Sequence, residues 1–230
     1  MINYLDDKKT IGSIVTELPQ AAEIFKEFNI DFCCGGNRLL SDITKLQGIN
    51  EEEMNERLNQ AYEERVSSYQ KENIEFGKMS HPALSTYIED KHHNYLREAL
   101  PKASELLTTI IRVHGANHKE LFDVYKLFGT LKADLEQHLL KEETILFPAF
   151  EQEEDNKDRI QNLSVEIINE HEAAGEILSE LRRITNDYAV PQDVCETFRK
   201  TYQLLEEIED DLHQHIHLEN NILLSNYDIR

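Results

Sequence analysis

The sequence predicts an all-α chain: a C-terminal up-down four-helix bundle preceded by a small helical N-terminal domain. Three observations carry this. Apolar residues recur at i, i+3 and i+4 over long stretches, whereas strand-like alternation is scarce. Tryptophan is absent, and glycine and proline number only 8 and 5 in 230 residues, so helix breakers are rare. Four long amphipathic stretches, at about 84–113, 118–152, 158–187 and 192–225, are joined by short breaks of turn composition, which makes neighbouring helices antiparallel.

The first element is a small domain over 1–65, with short helices expected around 19–28, 41–46 and 51–65. A segment of this length buries little apolar surface and is marginal alone, so it is expected to dock on the larger part or on a second copy. Residues 66–82 are polar, contain Gly77 and Pro82 and lack an apolar stripe; they read as a linker. The bundle follows over 83–230. Its breaks are Gly115-Ala116-Asn117, then 153–157, then Val190-Pro191.

Within the bundle, ionisable residues interrupt the inward stripes. On the second helix Leu121, Val124, Phe128, Leu131, Leu135, His138, Glu142 and Ile145 alternate spacings of three and four, one continuous face. The fourth repeats the arrangement with Leu205, Ile208, Leu212, His215, Glu219 and Ile222. The third offers His171 among Ile160, Leu163, Ile167, Ala174 and Leu178; the first offers His93 above Leu96, Leu100, Ala103, Leu107 and Ile110. In each His-x-x-x-Glu pair the side chains lie on adjacent turns of one face. Two buried carboxylates without compensation cost several kcal/mol and repel one another, and these faces carry no Lys or Arg. A multivalent cation removes the penalty. Counting from the loops puts His93, His138 and His171 at one depth, while His215 matches less well across the last loop. Four imidazoles and two carboxylates, with room for open positions, suit two irons bridged by oxo or hydroxo, with manganese or zinc as other options.

Other histidines read more plainly. His213 and His217 face away from His215, and His114 lies ~30 Å along the helix from His93. His118 suits the first turn of the second helix, and His81 falls in the linker. His92 lies on the neighbouring stripe with Ile88 and Leu96, so spacing alone leaves His92 and His93 open as the first ligand. Glu143, Glu170 and Glu172 read as outer or solvated groups.

Of three cysteines, Cys33 and Cys34 stand in Cys33-Cys34-Gly35-Gly36 after an apolar run, and Cys195 near the fourth helix reads as packing. Gly-Gly gives access to positive φ and to a nest of N–H groups, and a helix starting near Asn37–Ser41 would lower a nearby thiol pKa. Against this stands the plainer reading of two small buried residues before a turn. So few cysteines do not make a disulfide framework, and with no apparent secretory signal the expectation is a reducing cytoplasm. No apolar run approaches a membrane span. With 45 acidic against 24 basic residues and a net charge of −21, nucleic acid and membrane surfaces are not expected as partners.

These stretches together resemble a known family, the di-iron proteins that repair iron–sulfur clusters, over nearly the whole chain. The resemblance lies in Ala21-Ala22-Glu23-Ile24-Phe25 and Ile30-Asp31-Phe32-Cys33-Cys34-Gly35-Gly36 in the N-terminal domain. In the hemerythrin-like domain it lies in His138-Leu139-Leu140-Lys141-Glu142-Glu143, in Asn169 to Gly175, and in His215-Ile216-His217-Leu218-Glu219-Asn220-Asn221. The family's first ligand precedes a stretch like Leu96-Arg97-Glu98-Ala99-Leu100, which maps it to His93. Oxygen-carrying hemerythrins have a His-x-x-x-His pair on the third helix, but here Gly175 follows His171 by four; ferritin-like proteins use Glu-x-x-His, but here the order is His-x-x-x-Glu. The resemblance implies repair of clusters damaged by oxidative or nitrosative stress, by supplying iron or reacting with nitric oxide. It implies a metal set of His93, His138, Glu142, His171, His215 and Glu219, thiol exchange or iron transfer at Cys33 and Cys34, damaged iron–sulfur proteins as partners, nitric oxide or oxygen species as small ligands, and a homodimer. The alternative is a hemerythrin-like sensor that binds oxygen or nitric oxide; reduction of nitric oxide at the di-iron site is a further possibility.

Overall fold

The computed structural model describes residues 2–6, 9–67 and 75–227. It is all-α, as expected; among the described residues the only β feature is an isolated antiparallel bridge between Thr10 and Leu39. The linker expected at 66–82 falls partly on 68–74, which lie outside the described residues. The chain divides into two compact units, one of residues 1–80 with 216–228 and the other chiefly of 81–215.

The first unit contains α1 (Ile11–Glu17), α2 (Ala21–Glu27), α3 (Leu40–Gln47) and α4 (Glu51–Ser67). The Thr10 side chain caps α1 by accepting from the Ser13 amide, satisfying one of the first-turn donors. Helix α3 ends on Gly48 at φ 68, a left-handed position where a side chain would be strained. Ile11, Ile14, Leu18, Phe25, Leu40 and Leu58 are among the fully buried side chains of its core, which also takes in Ile216.

The second unit contains α5 (His81–Ile88), α6 (Asn94–His114), α7 (Glu120–Lys141), α8 (Phe147–Phe150), α9 (Glu153–Ile184) and the greater part of α10 (Glu196–Leu218). The inward stripes read from the sequence form one apolar core: Leu96, Leu100 and Leu107 on α6, Val124, Phe128 and Leu131 on α7, Leu178 and Leu181 on α9, and Leu205, Ile208 and Leu212 on α10. The connection from α9 to α10 opens with three successive left-handed residues, Asn186, Asp187 and Tyr188. No described helix is long and apolar enough to cross a membrane.

Candidate metal centre

Three π turns mark the centre. They span Glu89–His93 between α5 and α6, Glu142–Leu146 between α7 and α8, and Glu219–Leu223 after α10. In each, an amide reaches back five residues, as Leu224 does to the Glu219 carbonyl at 2.7 Å. A π turn inserts one residue and is a poorer helix than the α form, so it persists where something else fixes the side chains. Each of the three begins or ends on a residue of the expected ligand set: His93, Glu142 and Glu219.

The insertion also corrects the inward stripes. Ile145 and Ile222 were expected on the core face, but both are only partly buried, and Leu146 and Leu223 are buried instead. The three–four spacing carries through a regular helix; one added residue after Glu142 and after Glu219 moves the inward position one place on.

All six expected residues are almost wholly buried. His93 and His215 face one another through Nε2 at 3.2 Å, and His138 and His171 do the same at 3.1 Å. Glu142 Oε2 stands 3.4 Å from His93 Nε2, 3.3 Å from His138 Nε2 and 3.9 Å from His215 Nε2. Glu219 lies one turn beyond His215 on the same uninterrupted rod. Two groups result, His93, Glu142, His215 and Glu219, and His138, Glu142, His171 and Glu219, each with its ligand atoms within 4.8 Å of one another. Both carboxylates are common to both groups.

The donor chemistry fits two cations. His93 Nδ1 donates to Glu143 at 2.7 Å and His138 Nδ1 to Glu170 at 2.9 Å, which turns each Nε2 lone pair inward. The Nε2 lone pairs of His93 and His138 then face the Nε2 atoms of His215 and His171, an arrangement that a cation bound to both rings of each pair satisfies. Separations of 3.1 and 3.2 Å match neighbouring ligands on a metal with bonds of ~2.1 Å at right angles, about 3 Å apart.

The outer carboxylates are held in turn, Glu143 by Arg97 and Glu170 by Lys141. Hydrogen bonding to His138, reinforced by Lys141, brings Glu170 down to about 2 despite partial burial. Glu143 and Glu170 bond the imidazoles from outside and join neither candidate group.

His92 and His93 turn in different directions. His92 Nδ1 bonds Asp211 at 2.9 Å, and its ring stacks on that of His215 at 5.7 Å and 8°; it joins neither group. His217, expected to face away, is buried against Phe32, and burial brings it down to about 4. Neither this nor the π turns is signalled by helical periodicity.

In the first unit, Asp31 Oδ1 accepts from the amides of Cys33 and Cys34 and from the Cys33 thiol. The thiols lie 3.8 Å apart, and with Asp31 they form a further group of possible metal ligands. The expected lowering of thiol pKa is not found at Cys33: its hydrogen bond with Cys34 and its burial push it up. Nor do Gly35 and Gly36 adopt positive φ. A Cβ on Gly12 or Gly36 would fall 2.4 or 2.3 Å from Asn221 Oδ1, so Gly36 and Gly12 serve close approach. The Asn221 amide donates to the carbonyls of Phe32 and Cys33, and Asn220 also donates to Cys33.

Comparison with known proteins gives two family matches. The hemerythrin HHE cation binding domain matches residues 85–226, and a domain of unknown function, DUF542, matches 7–62. The iron-sulfur cluster repair protein ScdA of Staphylococcus haemolyticus is 29% identical over 97% of this chain and 99% of its own. That of Staphylococcus epidermidis is 30% identical, over 93% and 95%. A probable iron-sulfur cluster repair protein of Haemophilus influenzae is 30% identical, over 94% and 95%.

Proposed function

The chain belongs to the family of the iron-sulfur cluster repair proteins, with a hemerythrin HHE domain, and on that premise we propose that it repairs iron–sulfur clusters damaged by oxidative or nitrosative stress. The observation that carries this reading is the pair of four-donor groups with both carboxylates in common. Two irons per chain fit the set, one on His93 and His215, the other on His138 and His171, with Glu142 and Glu219 shared.

When bound, such a pair of irons supplies a redox-active centre and a source of iron for a damaged cluster. The protein's own residues prepare the place. Glu143 and Glu170 fix which imidazole nitrogen faces inward. Phe147 stacks on His93 at 5.5 Å and holds that ring against rotation. The shared carboxylates neutralise cation charge in an apolar interior, where water does not compete.

In this reading damaged iron–sulfur proteins are the clients, nitric oxide or oxygen species are small ligands, Cys33 and Cys34 take part in thiol exchange or transient iron transfer, and the working form is a cytoplasmic homodimer. The test pairs metal content with repair. Wild type is expected to hold about two irons per chain and to restore activity to a nitric-oxide-damaged iron–sulfur enzyme. Glu142→Ala/Glu219→Ala should lose both. Repair that survives loss of the iron refutes the reading. Reversible oxygen binding without any repair would favour a hemerythrin-like binding protein, which the HHE match also accommodates.

A further inference from the structure

At the opposite end of the bundle, ~30 Å along the first rod from His93, four further donors stand as two close pairs, no three of them within 4.8 Å of one another. The His118 amide donates to the His114 carbonyl at 2.9 Å, and the two ring centroids stand 6.1 Å apart. Both rings meet Phe198 edge-on, at 5.5 and 5.4 Å. The chain leading into α10 brings two further donors to them. Cys195 Sγ lies 3.2 Å from His114 Nε2, and Asp193 Oδ2 lies 3.5 Å from His118 Nε2.

His118 gives this cluster its meaning. The residue is 9% exposed and its side chain 11%. Its Nδ1 donates to Glu120 at 2.9 Å, which leaves the Nε2 lone pair pointing the other way. That Nε2 is buried and makes no hydrogen bond, and the group beside it is a carboxylate. A buried imidazole nitrogen that faces an exposed carboxylate is satisfied by a cation between them, a proton or a metal ion. The carboxylate–imidazole arrangement behind it is the one that orients metal-binding histidines.

We propose that this end of the bundle is a second metal site, taking a borderline-soft divalent ion of the zinc class through Cys195, His114, His118 and Asp193. One thiolate, two imidazoles and a carboxylate suit a tetrahedral zinc-like ion better than the oxygen-rich surroundings preferred by harder cations. The donor separations within each pair, 3.2 and 3.5 Å, are close to the edges of such a tetrahedron, roughly 3.3–3.6 Å. The two ring centroids, at 6.1 Å, stand about 1 Å wider than on a shared ion, so binding draws the pairs together. Cys195 and Asp193 are exposed and turn about χ1 to close the set. The bound ion would fasten the α6–α7 turn to the start of α10.

The test is a Co²⁺ titration of the full-length, iron-loaded chain under a thiol-free reductant. One cobalt per chain is expected, with an intense thiolate-to-cobalt charge-transfer absorption that Zn²⁺ abolishes by displacement. The absorption should persist in Cys33→Ala/Cys34→Ala and vanish in Cys195→Ala. His118→Ala should weaken binding at least about tenfold, no less than loss of an outer-shell partner does. Unchanged iron content shows that each variant is folded; should Cys195→Ala lose iron, the closer-sized Cys195→Ser replaces it with the same expected loss of absorption. The proposal is overturned if wild type gives no thiolate–cobalt band, if the band follows Cys33 and Cys34 instead of Cys195, or if His118→Ala binds as wild type does.

Discussion

Glu143 receives the Nδ1 proton of His93 at 2.7 Å while Arg97 holds the same carboxylate from outside. The bond reaches past the metal set yet decides how that set is presented, because a ring that donates through Nδ1 offers its lone pair through Nε2. Glu170 does the same for His138, with Lys141 as its outer partner.

Glu143→Gln and Glu170→Gln should therefore each lower iron affinity by about 10–100-fold while leaving the helices intact. Competition with a chelator, followed by iron analysis, measures this. Because His93 and His138 belong to different donor groups, each variant should release one iron ahead of the other. Retention of both irons at wild-type affinity would show that the outer carboxylates only bind surface cations.

The π turn after α7 makes a prediction about neighbours. Leu146 is fully buried and Ile145 only partly so. Leu146→Ala should cost about 2–5 kcal/mol, the usual range for a buried leucine, and Ile145→Ala clearly less. Urea unfolding of the two variants decides it; the reverse order would return Ile145 to the core stripe and remove the inserted residue.

In the N-terminal unit, Gly36→Ala would drive a methyl against the Asn221 side chain, whose Oδ1 lies 2.3 Å from the new Cβ. The expected loss is about 1–3 kcal/mol, as for other overpacked sites. Asn221→Ala alone gives up hydrogen bonds to the Phe32 and Cys33 carbonyls. If the clash is the cause, the double variant is less destabilised than the sum of the two single changes, which a double-mutant cycle of melting curves reads directly.

The cysteines should separate by reactivity. Hydrogen bonding to His114 brings Cys195 down to about 7, while the bond to Cys34 and burial push Cys33 up. A group with a depressed pKa carries its charge above that value and loses it below. Alkylation of Cys195 in chelator-treated protein should therefore fall off as pH drops through about 7, and Cys33 should lag behind at neutral pH. Peptide mass spectrometry separates the sites. His114→Ala should move the Cys195 profile upward; an unmoved profile would remove the imidazole's part in it.

This contrast also shows how far the sequence reached. Cys33 and Cys34 drew attention because Gly-Gly and a following helix promise an activated thiol, and Cys195 read as packing. The folded chain reverses the two. Burial and the neighbouring Cys34 outweigh the backbone at Cys33, and Cys195 meets an imidazole 81 positions earlier in the chain. His92 and His93 differ in the same way: adjacent in sequence, they part only because one ring turns to Asp211 and the other to Glu143.

By itself, the sequence determined the class of the fold, the apolar stripes of the bundle, and the presence of histidine and glutamate where leucine belongs. Those features are written in a helical period of 3.6 residues, which any single helix obeys without reference to its neighbours. Tertiary structure alone decided the π turns at His93, Glu142 and Glu219, the move of the core face from Ile145 to Leu146, and the outer carboxylates that point each imidazole inward. An inserted turn is unfavourable for an isolated helix and is paired with no local sequence signal; it is held by what several helices bring to one place.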